Sequence, residues 1–159
     1  MRSSLANLLL LFRKKNEKTY FLDAASMFTD GQDQRTQITT QRSGYVLSHS
    51  SFPADYSTYI NVTYTITGLH PKQQQIVLVF FKFDVEAGSN ECNYDALFVN
   101  GVQDANGVKF CQSQGYTPPL NQMIVYDITA STVSFRFTTD VNGDRKGFFF
   151  KFTGNTLCL

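Results

Sequence analysis

The stretch Phe80-Phe81-Lys82-Phe83-Asp84-Val85-Glu86 is an apolar run that loses its alternation and then delivers two carboxylates into a short loop. Cys92-Asn93-Tyr94-Asp95 follows at once. A third acid in a similar setting, Asp140, lies far downstream in Phe137-Thr138-Thr139-Asp140-Val141-Asn142-Gly143. Ionised groups withdrawn from water are costly unless they are paired or bind a metal. Acids at the ends of three strands therefore suggest one hard cation, and calcium is the cation that takes oxygen ligands of this kind.

Catalytic chemistry finds little support. His49 and His70 are the two histidines available as general bases near neutral pH. Neither lies near a Gly-x-Ser-x-Gly, a His-Glu-x-x-His or a glycine-rich phosphate loop. A nucleophilic Cys158 would sit at the penultimate position of the chain, where it is poorly held in geometry. Glu86 and Asp95 are paired acids of the kind a glycosidase uses, but no substrate cleft is inferable beside them. The expectation is a protein that is not an enzyme.

The elements that must carry these acids read as β-strands. Ile60, Val62, Tyr64 and Ile66 alternate with polar residues, which buries one face. Ile76, Leu78 and Phe80 share the next inward face, with Val77 and Val79 opposite. Residues 96–99 end at Asn100-Gly101, a strong turn signal. Residues 123–128, 133–137 and 148–152 complete the set. Short apolar runs about ten residues apart, without a long helical period, predict an all-β antiparallel sandwich or jelly roll. If Phe80 and Phe83 both face the core, the strand has slipped by one residue, as at a β-bulge. A strand buried on both faces is the alternative.

The chain has 159 residues, of which 42% are hydrophobic and 15 are phenylalanine, so one packed domain plus a tail is expected. Residues 1–41 read as an apolar segment followed by a polar linker with one edge strand near Thr36. The sandwich is expected over 42–154, and 155–159 as a tail. Residues 5–12 are apolar and follow Arg2, but Arg13-Lys14-Lys15 stands where small residues should mark a cleavage site. A poor signal peptide, an amphipathic helix and the remnant of a longer parent all stay open, and the run is too short to cross a bilayer. A net charge of +1 gives no reason to expect nucleic acid as a partner. Oligomeric state is not readable.

Three cysteines are present. Cys92 and Cys111 flank a strand–turn–strand segment and can pair, whereas Cys158 has no evident partner. Three reduced thiols in a cytosolic chain is the competing reading. Asn61-Val62-Thr63 is a glycosylation sequon, and inward Val62 would turn Asn61 outward.

From Ser43 to Gly154 the chain resembles the CUB domain, an extracellular β-sandwich of complement proteases, developmental metalloproteases and receptors. The resemblance rests on Gly44-Tyr45-Val46-Leu47-Ser48 followed by Phe52-Pro53-Ala54-Asp55-Tyr56. It rests also on Val62-Thr63-Tyr64-Thr65-Ile66 and on Ile76-x-Leu78-x-Phe80-x-x-Phe83-Asp84-x-Glu86. Cys92-x-Tyr94-Asp95, Phe110-Cys111, Thr139-Asp140 and Gly147-Phe148 complete it. One departure is clear: Val62 stands where the family places the second cysteine of its first bridge, and no cysteine precedes Cys92. Gln112 also replaces a common glycine.

The resemblance implies a calcium site with Glu86, Asp95 and Asp140 as acid ligands and Tyr56 bracing them. Asn142 aligns loosely as a further oxygen donor. It implies a Cys92–Cys111 disulfide and an extracellular, glycosylated binding module. Its partner would be a protein presenting lysine or arginine to the loaded acidic loops. The alternative is a spacer or adhesion domain of a larger secreted, membrane-anchored or protease-associated protein, with calcium only stabilising loops.

Overall fold

The structure, a computed structural model, describes residues 27–28, 36–49, 51–71, 74–88, 91–104, 107–142 and 145–156. The apolar run at 5–12 and Cys158 lie outside the described residues. Among the described residues there is no helix, and ten strands form two five-stranded sheets. The first sheet has the order β1 (Met27–Phe28), β3 (Ser43–Leu47), β10 (Gly147–Thr156), β5 (Gln74–Asp84), β8 (Met123–Asp127). The second has the order β2 (Thr36–Thr39), β4 (Asn61–Ile66), β9 (Val133–Thr138), β6 (Ala96–Asn100), β7 (Val108–Phe110). The expected all-β sandwich is what the chain forms.

Pairing is antiparallel throughout each sheet except at one edge. There β1 runs parallel to β3, and β2 runs parallel to β4. Both edge strands come from the segment read as apolar stretch and polar linker, and β10 continues to Thr156, past the boundary expected at 154.

The alternation seen in the sequence sets the burial. Val62, Tyr64 and Ile66 of β4 are buried while Asn61 is exposed. Val62, standing in place of a cysteine, is fully buried and pairs with Phe137 of β9. At the end of β5 the register against β10 jumps: Phe149 faces Lys82, but Phe150 faces Phe80. Phe81 is thus the extra residue of a bulge. The slip turns both Phe80 and Phe83 inward, with their rings 5.6 Å apart and nearly perpendicular. Phe81 instead packs outside, against a small cluster of Leu47, Phe52 and Phe149. The strand is therefore bulged, and its outer side is only partly covered, with Val79 and Phe81 half-buried and Lys82 exposed.

Phenylalanine does the bridging between sheets. Phe150 of β10 lies 4.8 Å from Phe80 on its own sheet and 5.0 Å from Phe135 of β9 on the other. Phe148 of β10 meets Phe137 of β9 at 5.0 Å. Aromatic pairs at such distances contribute about 0.5–1.5 kcal/mol each beyond their buried area.

Phe150→Ala should lower stability by about 3–5 kcal/mol in urea unfolding. A loss below roughly 1 kcal/mol would mean that the ring does not hold the two sheets together.

Candidate metal centre

One end of the sandwich gathers residues from both sheets. Glu86 lies just beyond β5 in the first sheet, Asp95 just ahead of β6 in the second, and Asp140 just beyond β9. One carboxylate oxygen from each lies within 4.8 Å of the others. Asp95 is fully buried, whereas Glu86 and Asp140 are half-buried. The three acids expected to meet are therefore together.

Asp95 is the hub. Its Oδ2 accepts a hydrogen bond from the Tyr56 hydroxyl. Its Oδ1 accepts from the backbone N–H of Asp140 at 2.8 Å. The Tyr56 oxygen in turn accepts from the Glu86 N–H at 3.2 Å. Tyr56 is held edge-on against Phe137, 5.3 Å between centroids, and its own N–H donates to the Arg145 carbonyl at 2.9 Å. Burial first, and then the hydrogen bond to Asp95, push its phenol well above the ordinary tyrosine range. It remains protonated and keeps donating at physiological pH.

The other expected residues are placed differently. Asn142 is exposed and donates its backbone N–H to Asp140 Oδ1 at 2.8 Å, which fixes that carboxylate. Asp84, the first of the two loop acids, accepts from the Lys146 N–H at 3.0 Å and so serves the β5–β10 end. Glu86, two residues on, instead brings a carboxylate oxygen to those of Asp95 and Asp140. Glu86 Oε2 is buried and receives no hydrogen bond, while the N–H of the same residue is engaged by Tyr56. Asn61 is exposed, and its Oδ1 accepts from Arg136 Nε at 3.0 Å, leaving this contact on the oxygen and not the nitrogen.

Two loops are pinned to bring the acids in. Cys92 and Cys111 form a disulfide with Cα atoms 5.5 Å apart. Gly88 takes φ +61°, and a Cβ there would come within 2.8 Å of the Asn93 nitrogen. That close backbone approach closes the loop between Glu86 and Asp95, and no motif in the sequence announced it. On the other side, Thr139 donates its N–H to the Ile60 carbonyl at 3.0 Å and accepts the Ile60 N–H on its hydroxyl at 2.9 Å. Tyr59 donates its N–H to the Asp140 carbonyl at 2.9 Å. The 56–60 loop is thereby stapled to the acid loop after β9.

The donor set suits a hard cation. With calcium–oxygen distances of about 2.3–2.6 Å, two oxygens on one ion can stand up to roughly 5 Å apart. The separations of at most 4.8 Å meet that limit. Without a cation, two like charges 4.8 Å apart would repel by roughly 3–4 kcal/mol at an effective dielectric near 20. A cluster so built could hold a divalent ion.

The fold and this acidic edge define a two-sheet jelly-roll module. The family model for the CUB domain matches residues 34–152, and the chain belongs to that family. No curated protein matches the sequence. Among solved structures, the CUB1-EGF-CUB2 domains of rat MASP-1 are similar at 22% identity and a TM-score of 0.60, over 77% of this chain and 44% of that one. This chain thus spans less than half of that structure. The MASP-1 CUB2 domain bound to Ca2+ is similar at 20% identity and a TM-score of 0.55, over 74% of this chain and 96% of that one. The full extracellular region of zebrafish Gpr126/Adgrg6 is similar at 19% identity and a TM-score of 0.53, over 79% of this chain and 15% of that one. At these identities the likeness is one of fold.

Tyr56→Phe would orphan Asp95 Oδ2 and the Glu86 N–H together, so it should cost about 1–3 kcal/mol in calcium-free unfolding. Wild-type stability in this variant would show that the phenol does not hold the acids in place.

Proposed function

We propose that this chain is a non-catalytic CUB module that binds protein ligands in a calcium-dependent manner. CUB domains are generally non-catalytic binding modules and occur mostly in extracellular or secreted proteins. The carrying observation is the convergence of Glu86, Asp95 and Asp140 carboxylate oxygens within 4.8 Å of one another. The existence of a similar CUB domain bound to Ca2+ supports the same reading. In this reading the three acids hold the ion, Asn142 lends an oxygen from the same loop, and Tyr56 positions Asp95.

Calcium supplies two positive charges against three carboxylates, so the loaded site keeps one excess negative charge. A lysine or arginine of the ligand would donate charge-assisted hydrogen bonds to the remaining carboxylate oxygens, and such bonds are stronger than neutral ones. The Cys92–Cys111 disulfide suits an oxidising, extracellular setting. Exposed Asn61 suits a glycan there. Among the described residues no helix is long and apolar enough to cross a membrane.

A structural role is the second reading, favoured by one observation: the acids border strands of both sheets, so an ion would clamp the sandwich end. Capture of a candidate ligand with calcium and with chelator separates the two, because a pure clamp leaves capture unchanged.

Calorimetry should detect calcium uptake by the wild-type chain, and Asp95→Asn or Asp140→Ala should abolish it. No heat at millimolar calcium would end the proposal. At a hundredfold excess over its Kd, calcium should add about 2.7 kcal/mol to stability. Expressed through a secretory route, the chain should lose mass on enzymatic deglycosylation, and Asn61→Gln should remove that change. An unchanged mass would leave the sequon unused.

A further inference from the structure

His49 is only 2% exposed, and both of its ring nitrogens are engaged. Nε2 lies 3.0 Å from the Ala54 carbonyl, which only accepts, so Nε2 carries a proton. Nδ1 lies 2.7 Å from the Ser48 hydroxyl. That hydroxyl already accepts the Phe148 N–H at 3.0 Å, and, being fully buried, it gives its own proton to Nδ1. The run from Phe148 N–H through Ser48 and His49 to the Ala54 carbonyl therefore takes a neutral imidazole. It ties β10 to a residue two positions before Tyr56. The His49 ring also meets the Tyr56 ring edge-on, 6.0 Å between centroids. Gly147, at φ +82°, packs on the pair so closely that a Cβ there would collide with Ser48 Oγ and press on His49 Nδ1. The charged groups on the surrounding segments have their own contacts. Lys146 binds Asp55 at 2.6 Å through its ammonium and Asp84 at 3.0 Å through its N–H. Arg145 receives the Tyr56 N–H on its carbonyl, and the Tyr56 hydroxyl faces Asp95.

We propose that His49 is a positioning residue for the Tyr56–Asp95 contact and makes that contact acid-labile. A proton on Nδ1 removes the acceptor of the Ser48 hydroxyl and puts a charge where burial makes it costly. Once the 51–56 segment opens, the ring is hydrated and takes up its proton as an ordinary histidine does, near pH 6.5. The open form thus binds one proton more than the closed form at acid pH. Closure is complete above about pH 6.5 and weakens below it, by about tenfold per pH unit. Opening withdraws Tyr56 from Asp95. The consequence for calcium, weaker uptake in acid, rests on the calcium reading above; the acid-lability of the segment does not.

The test follows urea unfolding of the full, calcium-free chain between pH 7.5 and 5.5. The folded-to-unfolded ratio of the wild type should fall by about tenfold from pH 6.5 to 5.5. His49→Gln keeps a donor for the Ala54 carbonyl and does not titrate in this range, so its profile should be flatter by about that factor. His70, the other histidine, is exposed, and His70→Gln should follow the wild type. Parallel profiles for wild type and His49→Gln would overturn the proposal, because both carry the same acids. Imidazole NMR of the wild type decides the matter if His49→Gln does not fold. The ring should hold its neutral Nε2–H form at pH 7.5, and any charging on acidification should come with a shift of the Tyr56 amide. Charging near pH 6.5 with that amide unmoved would overturn the proposal. Calcium calorimetry over the same pH range gives the last arm: wild-type affinity should fall more steeply in acid than that of His49→Gln. Equal steepness beside unequal unfolding profiles would overturn the link through Tyr56. No calcium uptake at any pH would end the calcium reading, with the unfolding profiles still deciding the role of His49.

Discussion

The buried carboxylate of Asp95 is the constraint around which one end of this molecule is organised. A charge without solvent contact is tolerable when hydrogen bonds or a metal replace the water it has lost. Here the Tyr56 hydroxyl and the Asp140 N–H supply two of those contacts. They draw in the loop before β4 and the loop after β9, and the Glu86 N–H on the Tyr56 oxygen adds the end of β5. Three segments remote in sequence are thus tied to one side chain. The geometry of the other two acids follows from how Asp95 is satisfied.

That arrangement needs a stiff frame, and the frame is aromatic. Rings from β5, β9 and β10 interlock across the two sheets, and Tyr56 leans on Phe137 in the same stack. A family bridge is absent at Val62, yet that residue is fully buried and in register with Phe137. The neighbourhood that would have been cross-linked is packed instead. The bulge at Phe81 contributes in a different way, because the one-residue slip it introduces decides where the chain beyond β5 emerges.

Much of this was legible in the residues. Period-two alternation marked β4, and the broken alternation at Phe80 and Phe83 left a bulge as one of two readings. The order of the acid and cysteine motifs brought Glu86, Asp95 and Asp140 into one reading, and the geometry joins them. Other features were not legible, for physical reasons. Strand β1 is two residues long, too short to show any period, and its parallel pairing depends on a strand distant in sequence. That Asp84 serves the Lys146 N–H depends on a contact across 62 positions. The pinch at Gly88 depends on the approach of the Asn93 backbone, which no local pattern encodes.

The Cys92–Cys111 bond encloses the stretch that contains Asp95, at a sequence separation of 19. Segment 111–113 also leans on the turn after Glu86: the Gln112 N–H reaches the Val85 carbonyl at 3.1 Å, and the Ser113 hydroxyl reaches that of Ala87. Cleaving this bond would loosen both flanks of the acid site while leaving the far end of the sandwich to its own packing. Reduction would therefore act on the acid loop before it acted on the far end of the sandwich, so the geometry of the three carboxylates depends on a covalent bond that the strands themselves do not need.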